Sequence, residues 1–307
     1  LEFPILFLGA TAKKTPALYS LMNYGDMMLG TWYPEGGMYK VVEGFQKLAE
    51  QQGVCFRFDE EVQRFDFKDK KVKSVVTNKG TYQADYVIAS ADYHHIEQKI
   101  LPEKYRNYSP AYWQSRTMSP SSLIYFLGID KKLNNMQHHT LIFNKDFEKH
   151  AQQIYEQAQW PQNPSVYLSC TSKTDLSTAP SGKENLFILI PVAPGLQDTD
   201  AVRNHYFDFS VQRIEDTLDI NFKADISYKR MYSNRDFTHD YHAYKGNAYG
   251  LANTLRQTAI LKPSMFNKAV HNLLYVGQLT IPGPGVPPAI ISGQVAAGQL
   301  VKKEQKQ

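Results

Sequence analysis

Apolar residues recur at helical spacing between residues 38 and 52, where Val41, Val42, Phe45, Leu48 and Ala49 share one face. Gly53 stands where a left-handed residue closes such a helix. The apolar run over 54–58 predicts a strand directly after it. Short alternations at 62–67, 72–76 and 81–82 predict a small meander with polar turns at 68–71 and 78–80, and the stretch over 84–92 returns to a sheet. Further strands are predicted at 122–128, 140–143, 165–169 and 185–190, joined by long polar links. A helix is predicted over 201–220, with Val202, Tyr206, Phe209, Ile214 and Leu218 near one stripe. Thr15-Pro16-Ala17 reads as a helix start, with Leu18, Leu21 and Met22 on one face and residues 27–29 continuing the apolar character; core packing is the plainest reading of that face. Near the end, residues 273–276 predict a short buried strand. A Gly/Pro-rich turn follows, and Pro287 and Pro288 suit a first helical turn that runs on through small apolar residues to Val301.

These periods predict an α/β protein: part of a βαβ-type sheet domain, whose layout resembles that of FAD-dependent oxidoreductases of the glutathione-reductase type, with a strand-rich α+β domain inserted in it. The chain has 307 residues, enough for a substantial core in one or two interleaved domains. Hydrophobic residues make up 42% and charged residues 21%, the balance of a globular protein. A net charge of +4, without a basic stripe, permits contact with an anionic membrane surface and argues against nucleic-acid binding. No apolar run is long enough to span a bilayer, and the opening residues do not form a signal peptide, so a cytoplasmic location peripheral to the membrane is expected.

Chemistry-bearing motifs are scarce. Cys55 and Cys170 lie in no ligand spacing, and each is expected to be a buried small apolar residue. His94-His95, His138-His139 and the pair His239 and His242 lack the converging ligands of a zinc site, so no metal is expected. No Ser or Cys carries a nucleophile signature, and the catalytic residues are left unassigned. What stands out is a strand that ends in glycines and opens into a helix N-terminus, a place where backbone N–H groups meet electron-rich ligands.

Three blocks carry a family resemblance. Asn272, Val276, Gly277, Thr280, Pro282, Gly283, Gly285, Val286, Pro287 and Gly293 fit the C-terminal signature of bacterial-type phytoene desaturases, flavoproteins of carotenoid synthesis; Gln278, Leu279 and Ile281 depart from its commonest form. Gly30-Thr-Trp32-Tyr-Pro34-Glu35-Gly36-Gly37 resembles the family's Trp-aromatic-Pro-x-Gly-Gly segment, with Glu35 where a basic residue is usual. Gly246-Asn-Ala248-Tyr249-Gly250-Leu251, followed by Gln257 and Pro263, resembles a third block. Together they cover nearly the whole chain.

The resemblance implies an FAD-dependent enzyme that desaturates a phytoene-type polyisoprenoid by hydride transfer to flavin. It implies a discontinuous FAD-binding domain (30–95 and 268–307) and a substrate and membrane-contact domain (1–29 and 96–267). The FAD-binding positions it implies are Val62, whose backbone would touch the adenine, Ala89, Ser90, Ala91 and Asp92, by the pyrophosphate and ribose, and Gly277, Gln278, Gly283, Gly285, Val286, Pro287 and Ala289. Within that set, the N–H groups of Val286 and Ala289 are the candidate donors to the flavin N1/C2=O edge. Tyr244 and Tyr249 offer aromatic faces to a cation-like state, or else pack within strands. The aromatic-rich middle is expected to line an apolar channel, with residues 3–8 and 18–29 near its mouth at the membrane. The family's Gly-x-Gly-x-x-Gly unit is missing and residue 1 is not Met, which suggests a C-terminal portion lacking the first dinucleotide-binding segment. Two other readings stay open: a related flavoenzyme (carotenoid isomerase or flavin amine oxidase), and a non-catalytic binding or structural module.

Overall fold

The computed structural model describes residues 8–144 and 146–305. The apolar stretch over 3–7 lies outside them. The strands, in chain order, are β1 (Val62–Lys68), β2 (Lys71–Thr77), β3 (Thr81–Gln83), β4 (Val87–Ala89), β5 (Ser121–Ile129), β6 (His139–Ile142), β7 (Val166–Ser169), β8 (Glu184–Val192), β9 (Ile226–Tyr232) and β10 (Leu273–Tyr275). The longer helices are α1 (Tyr39–Gln51), α2 (Phe147–Tyr155), α3 (Asp200–Leu218), α4 (Asn234–Tyr241) and α5 (Val286–Glu304). The chain divides into two compact units. One comprises Leu18–Phe56 and Ser121–Arg235; the other comprises residues 8–17, Arg57–Pro120 and the stretch from Asp236 on. These cuts fall elsewhere than the 30–95 and 268–307 division implied by resemblance: residues 30–56 go with the first unit, and 96–120 and 236–267 with the second.

The first unit is built on an antiparallel sheet in the order β6-β7-β8-β5-β9. Alternation fixes its faces. Leu123, Tyr125, Leu127 and Ile129 of β5 and Leu186, Ile188, Ile190 and Val192 of β8 point into the core. There they join Tyr206, Phe207, Val211 and Ile214 from α3. Each such side chain contributes roughly 1.5–3 kcal/mol by leaving water. The Thr199 side chain caps α3 by accepting the Val202 N–H at 3.3 Å. On the opposite face one row crosses all five strands in register: Leu141, Tyr167, Leu189, Ile124 and Tyr232. The neighbouring row adds Phe126 and Phe187, whose rings meet edge to face at 5.4 Å.

In the second unit β1, β2 and β3 form a meander. Asp69 and Lys70, with φ of 49° and 58°, close the β1–β2 hairpin with positive φ at both central residues, the geometry that matches strand twist. β4 and β10 pair in parallel, Ile88 opposite Leu274. The Asn272 side chain ties the entry of β10 to the rest of the unit. Its Oδ1 accepts the Val72 N–H, and its Nδ2 donates to the Val72 and Asp85 carbonyls, all at 2.8 Å. The core here is aromatic: Tyr93 stacks on Tyr275 at 3.7 Å, and both are buried with Trp113.

Several expectations change. The run over 54–58 forms no strand among the described residues, and Val54, Phe56 and Phe58 are exposed. α1 forms where the period places it, with Gly53 at φ 84° after it, yet it buries no side chain; Val42, Phe45 and Leu48 are exposed. Residues 17–29 form short 3₁₀, α and π turns, and Leu18, Leu21, Met27, Met28 and Leu29 are exposed, so core packing is not their role among the described residues. Cys170 is buried but Cys55, within the 54–58 run, is exposed. Tyr244 lies in a 3₁₀ turn and Tyr249 in a loop, not in strands.

Candidate functional site

The parallel pairing of β4 with β10 places both strand ends side by side. The Val276 N–H donates to the Ala89 carbonyl at 3.0 Å, and a Cβ on Gly277 would stand 3.8 Å from the Ser90 carbonyl oxygen. Beyond the C-terminal ends of parallel strands is where α/β sheets bind ligands. A cavity of about 360 Å³ opens there. Ser90, Ala91, Asp92 and Gln278 line it, with Tyr93, Asn247 and Leu279 among the other walls.

The turn that follows is held at both ends. Gly277 N–H donates to Ser292 Oγ at 2.8 Å, and that hydroxyl donates to the Ala289 carbonyl at 2.6 Å. Gly283 and Gly285 take φ of 133° and 109°, a region that a side chain resists. At Gly285 an added Cβ would also press on the Pro288 ring at 3.3 Å. α5 begins at Val286 with Gly285 as its cap, and the two prolines fall in its first turn. Pro287 and Pro288 carry no N–H, and the Ala289 N–H is engaged by the Gly285 carbonyl at 3.0 Å. Val286 is therefore the donor that the first turn offers, and Ala289 is not a free one.

Of the twelve positions implied by resemblance, the cavity brings together Ser90, Ala91, Asp92 and Gln278. Ala89 and Gly277 sit directly behind them at the strand ends. Gly283, Gly285, Val286, Pro287 and Ala289 form the turn and the start of α5. Val62 opens β1, half-buried and outside the cavity lining.

Asp92 is the charged group of the cavity. It caps a short helical turn by accepting the His95 N–H at 3.0 Å and accepts the Tyr244 N–H at 3.2 Å. Burial pushes its carboxyl up to about 6 against the pull of these donors. His94 stacks on Tyr244 at 3.9 Å, and burial, with the nearby charges of His95, Lys99 and Lys245, holds the ring down at about 4. His95 and His242 stack at 3.9 Å.

Sequence reasoning missed three residues: Glu97, Asn253 and Lys262. Glu97 is buried among aromatic rings and accepts the Asn107 N–H at 2.6 Å, the Tyr108 N–H at 3.0 Å and the Tyr275 hydroxyl at 3.2 Å. Asn253 and Lys262 are buried, and their Oδ1 and Nζ have no hydrogen-bond partner among the described residues. His242 stands at φ 52° in a tight turn. The available signals were a lysine placed between Leu261 and Pro263 and an acid inside an apolar helical stretch, both weak. No group of three or more His, Cys, Asp or Glu that could hold a metal occurs among the described residues. No helix among them is long and apolar enough to cross a membrane.

The chain is similar along most of its length to known proteins. The carotenoid 3,4-desaturase of Haloarcula japonica is 37% identical over 302 residues, which cover 98% of this chain and 61% of that protein. The 1-hydroxycarotenoid 3,4-desaturase of a Flavobacterium species is 29% identical over 291 residues, 94% of this chain and 59% of its own length. The chain thus spans about three-fifths of the curated relatives it matches. Among solved structures, an oxidoreductase from Methanosarcina mazei superposes with a TM-score of 0.65 at 13% identity, covering 97% of this chain and 63% of the other, a likeness of fold. Residues 5–301 match the family described as flavin containing amine oxidoreductase, and the chain belongs to that family.

Proposed function

We propose that the protein is an FAD-dependent desaturase of carotenoid-type polyenes. The similarity to a carotenoid 3,4-desaturase along 98% of the chain carries the reading. The residues present fit a flavin. The glycine turn keeps side chains away from the backbone at Gly283 and Gly285, Val286 offers an N–H at a helix start, and a buried amine lies beside the turn. We assign the cofactor contacts to the twelve positions already implied, with Ala289 as a packing rather than a donating residue. Bound there, the flavin would supply the acceptor for a hydride from one carbon, while the neighbouring carbon loses a proton and a C=C bond results.

For its part, the chain has to hold an extended hydrocarbon and exclude water. The outer row of the five-stranded sheet, Leu141, Tyr167, Leu189, Ile124 and Tyr232 with Phe126 and Phe187 beside it, is an apolar and aromatic surface suited to such a substrate. A polyene barely dissolves in water, so it has to arrive from lipid. The exposed apolar residues between Leu18 and Trp32 suit a peripheral membrane contact.

The test is to reconstitute the full-length protein with FAD and supply phytoene-type and longer-conjugated polyenes in liposomes. Products should absorb at longer wavelength and elute with two fewer hydrogens per step. Turnover of small soluble amines in lipid-free buffer, with no polyene converted, would assign the protein to amine oxidation instead.

A further inference from the structure

Lys262 is 4% exposed, and its Nζ meets no hydrogen-bond partner among the described residues. A buried, unpaired ammonium is costly and calls for an explanation. Asn253 is also buried, at 1% exposure, and among the described residues its Oδ1 has no partner either. Both atoms point at one spot. A Cβ built on Gly283 would stand 3.2 Å from Lys262 Nζ and 3.6 Å from Asn253 Oδ1. Gly283 belongs to the turn that opens α5, two residues before the helix cap. A cationic donor, a neutral acceptor and a helix start therefore converge on one glycine.

We propose that Lys262 and Asn253 form a subsite that takes the pyrimidine edge of the flavin ring, with Nζ serving the N1/C2=O side and Asn253 Oδ1 accepting from N3–H. The proposal rests on the flavin reading above. That edge is an acceptor beside a donor, the complement of the two orphaned atoms. It also gains negative charge when the ring is reduced, and a fixed cation stabilises that charge in a dry site. The helix N-terminus at Val286 adds a field of the same sign. Burial has lowered the Lys262 amine to about 8, so the group is close to releasing its proton in the protein alone and gains from an anionic neighbour. Lys262 is thus assigned as a cofactor-tuning residue rather than a general base.

The test uses the flavin-loaded full-length protein and its Lys262→Met, Lys262→Arg and Asn253→Leu variants. Sulfite adds to flavin N5 and leaves negative charge on the N1 side, so its dissociation constant reports the local cation without turnover. Loss of a hydrogen bond to a charged group predicts sulfite binding weakened about tenfold or more in Lys262→Met. The midpoint potential should fall in parallel, and Lys262→Arg should restore most of both. Asn253→Leu should weaken FAD binding with a smaller effect on sulfite. If Lys262→Met fails to fold, Lys262→Gln takes its place in the same measurements. Sulfite affinity and potential unchanged within about twofold, in a variant that keeps its flavin, would overturn the subsite and leave the flavin reading standing. A wild-type protein that folds but takes up no flavin would overturn both.

Discussion

Glu97 shows how one buried carboxyl sets a local pH response. It lies with no exposed surface between Tyr275, Trp113 and the backbone of Asn107 and Tyr108. Burial raises it from an ordinary 4.5 to about 7, although three donors pull the other way. The folded protein therefore keeps a proton that the unfolded chain has already released. The stability linked to this group is complete below about 4.5 and is lost as the pH rises through about 7. Other groups, such as His94 and His150, both held down at about 4, act in the opposite sense and obscure the total. The comparison to make is wild type against Glu97→Gln in urea unfolding between pH 4.5 and 7.5. The stability difference in favour of wild type should shrink steadily as the pH rises. A difference independent of pH would show that Glu97 titrates normally. None of this was legible in the sequence, because Glu97 reads there as an ordinary helical acid and its burial is set by Tyr93, Trp113 and Tyr275 arriving from three separate segments.

At the scale of elements, periodicity was a good guide to what forms and a poor guide to what it touches. β5 to β8, α3, the β1–β2 hairpin and the closing strand–turn–helix all stand where the apolar pattern and the turn residues put them. β9 was missed because most of its residues face outward, leaving no alternation to read. α1 carries a clear apolar stripe and yet buries none of it, since a stripe specifies a face and says nothing about whether a partner is present. The segment over 17–32 carries the same lesson and a consequence. Its short turns leave Leu18, Met27, Met28 and Leu29 in solvent, and Trp32 is 88% exposed. A tryptophan beside exposed aliphatic side chains suits the headgroup level of a bilayer. Replacing Met27, Met28 and Trp32 together by Ser should cut the fraction of full-length protein that sediments with anionic liposomes severalfold, leaving thermal stability nearly unchanged because these side chains pack against little. Equal sedimentation of the triple variant would place the membrane contact elsewhere.

At the scale of the molecule, the candidate site is one half of what a dinucleotide needs. The turn at Gly283 and Gly285, the strand ends at Ser90 and Gln278 and the start of α5 suit the ring and its nearby chain. No Gly-x-Gly-x-x-Gly sequence occurs in these 307 residues to cradle the pyrophosphate. Residues 1–307 should therefore hold FAD weakly, with a dissociation constant about a hundredfold or more above that of the same residues joined to a strand–turn–helix that carries such a motif, as expected if several charge-assisted phosphate contacts are lacking. Calorimetric titration of the two proteins checks this. Tight, stoichiometric binding by residues 1–307 would mean that the contacts described here suffice. The three sequence blocks made the ring-side half legible because glycines and prolines in a fixed order report backbone geometry directly. The orphaned amine of Lys262 stayed hidden because burial without a partner leaves no trace in composition or period.

The parallel pairing of β4 with β10 also bears on the order in which the protein is made. Ile88 meets Leu274 across almost the whole intervening chain. The five-stranded sheet, by contrast, draws its strands from a single uninterrupted stretch, Ser121 to Tyr232. On a ribosome that sheet has all its strands available while β10 is still untranslated. β4 has to wait, its apolar edge unpaired, until β10 leaves the exit tunnel. The unit that carries the glycine turn therefore closes after the five-stranded sheet has all its strands, and β4 stays open to misassociation until β10 has emerged.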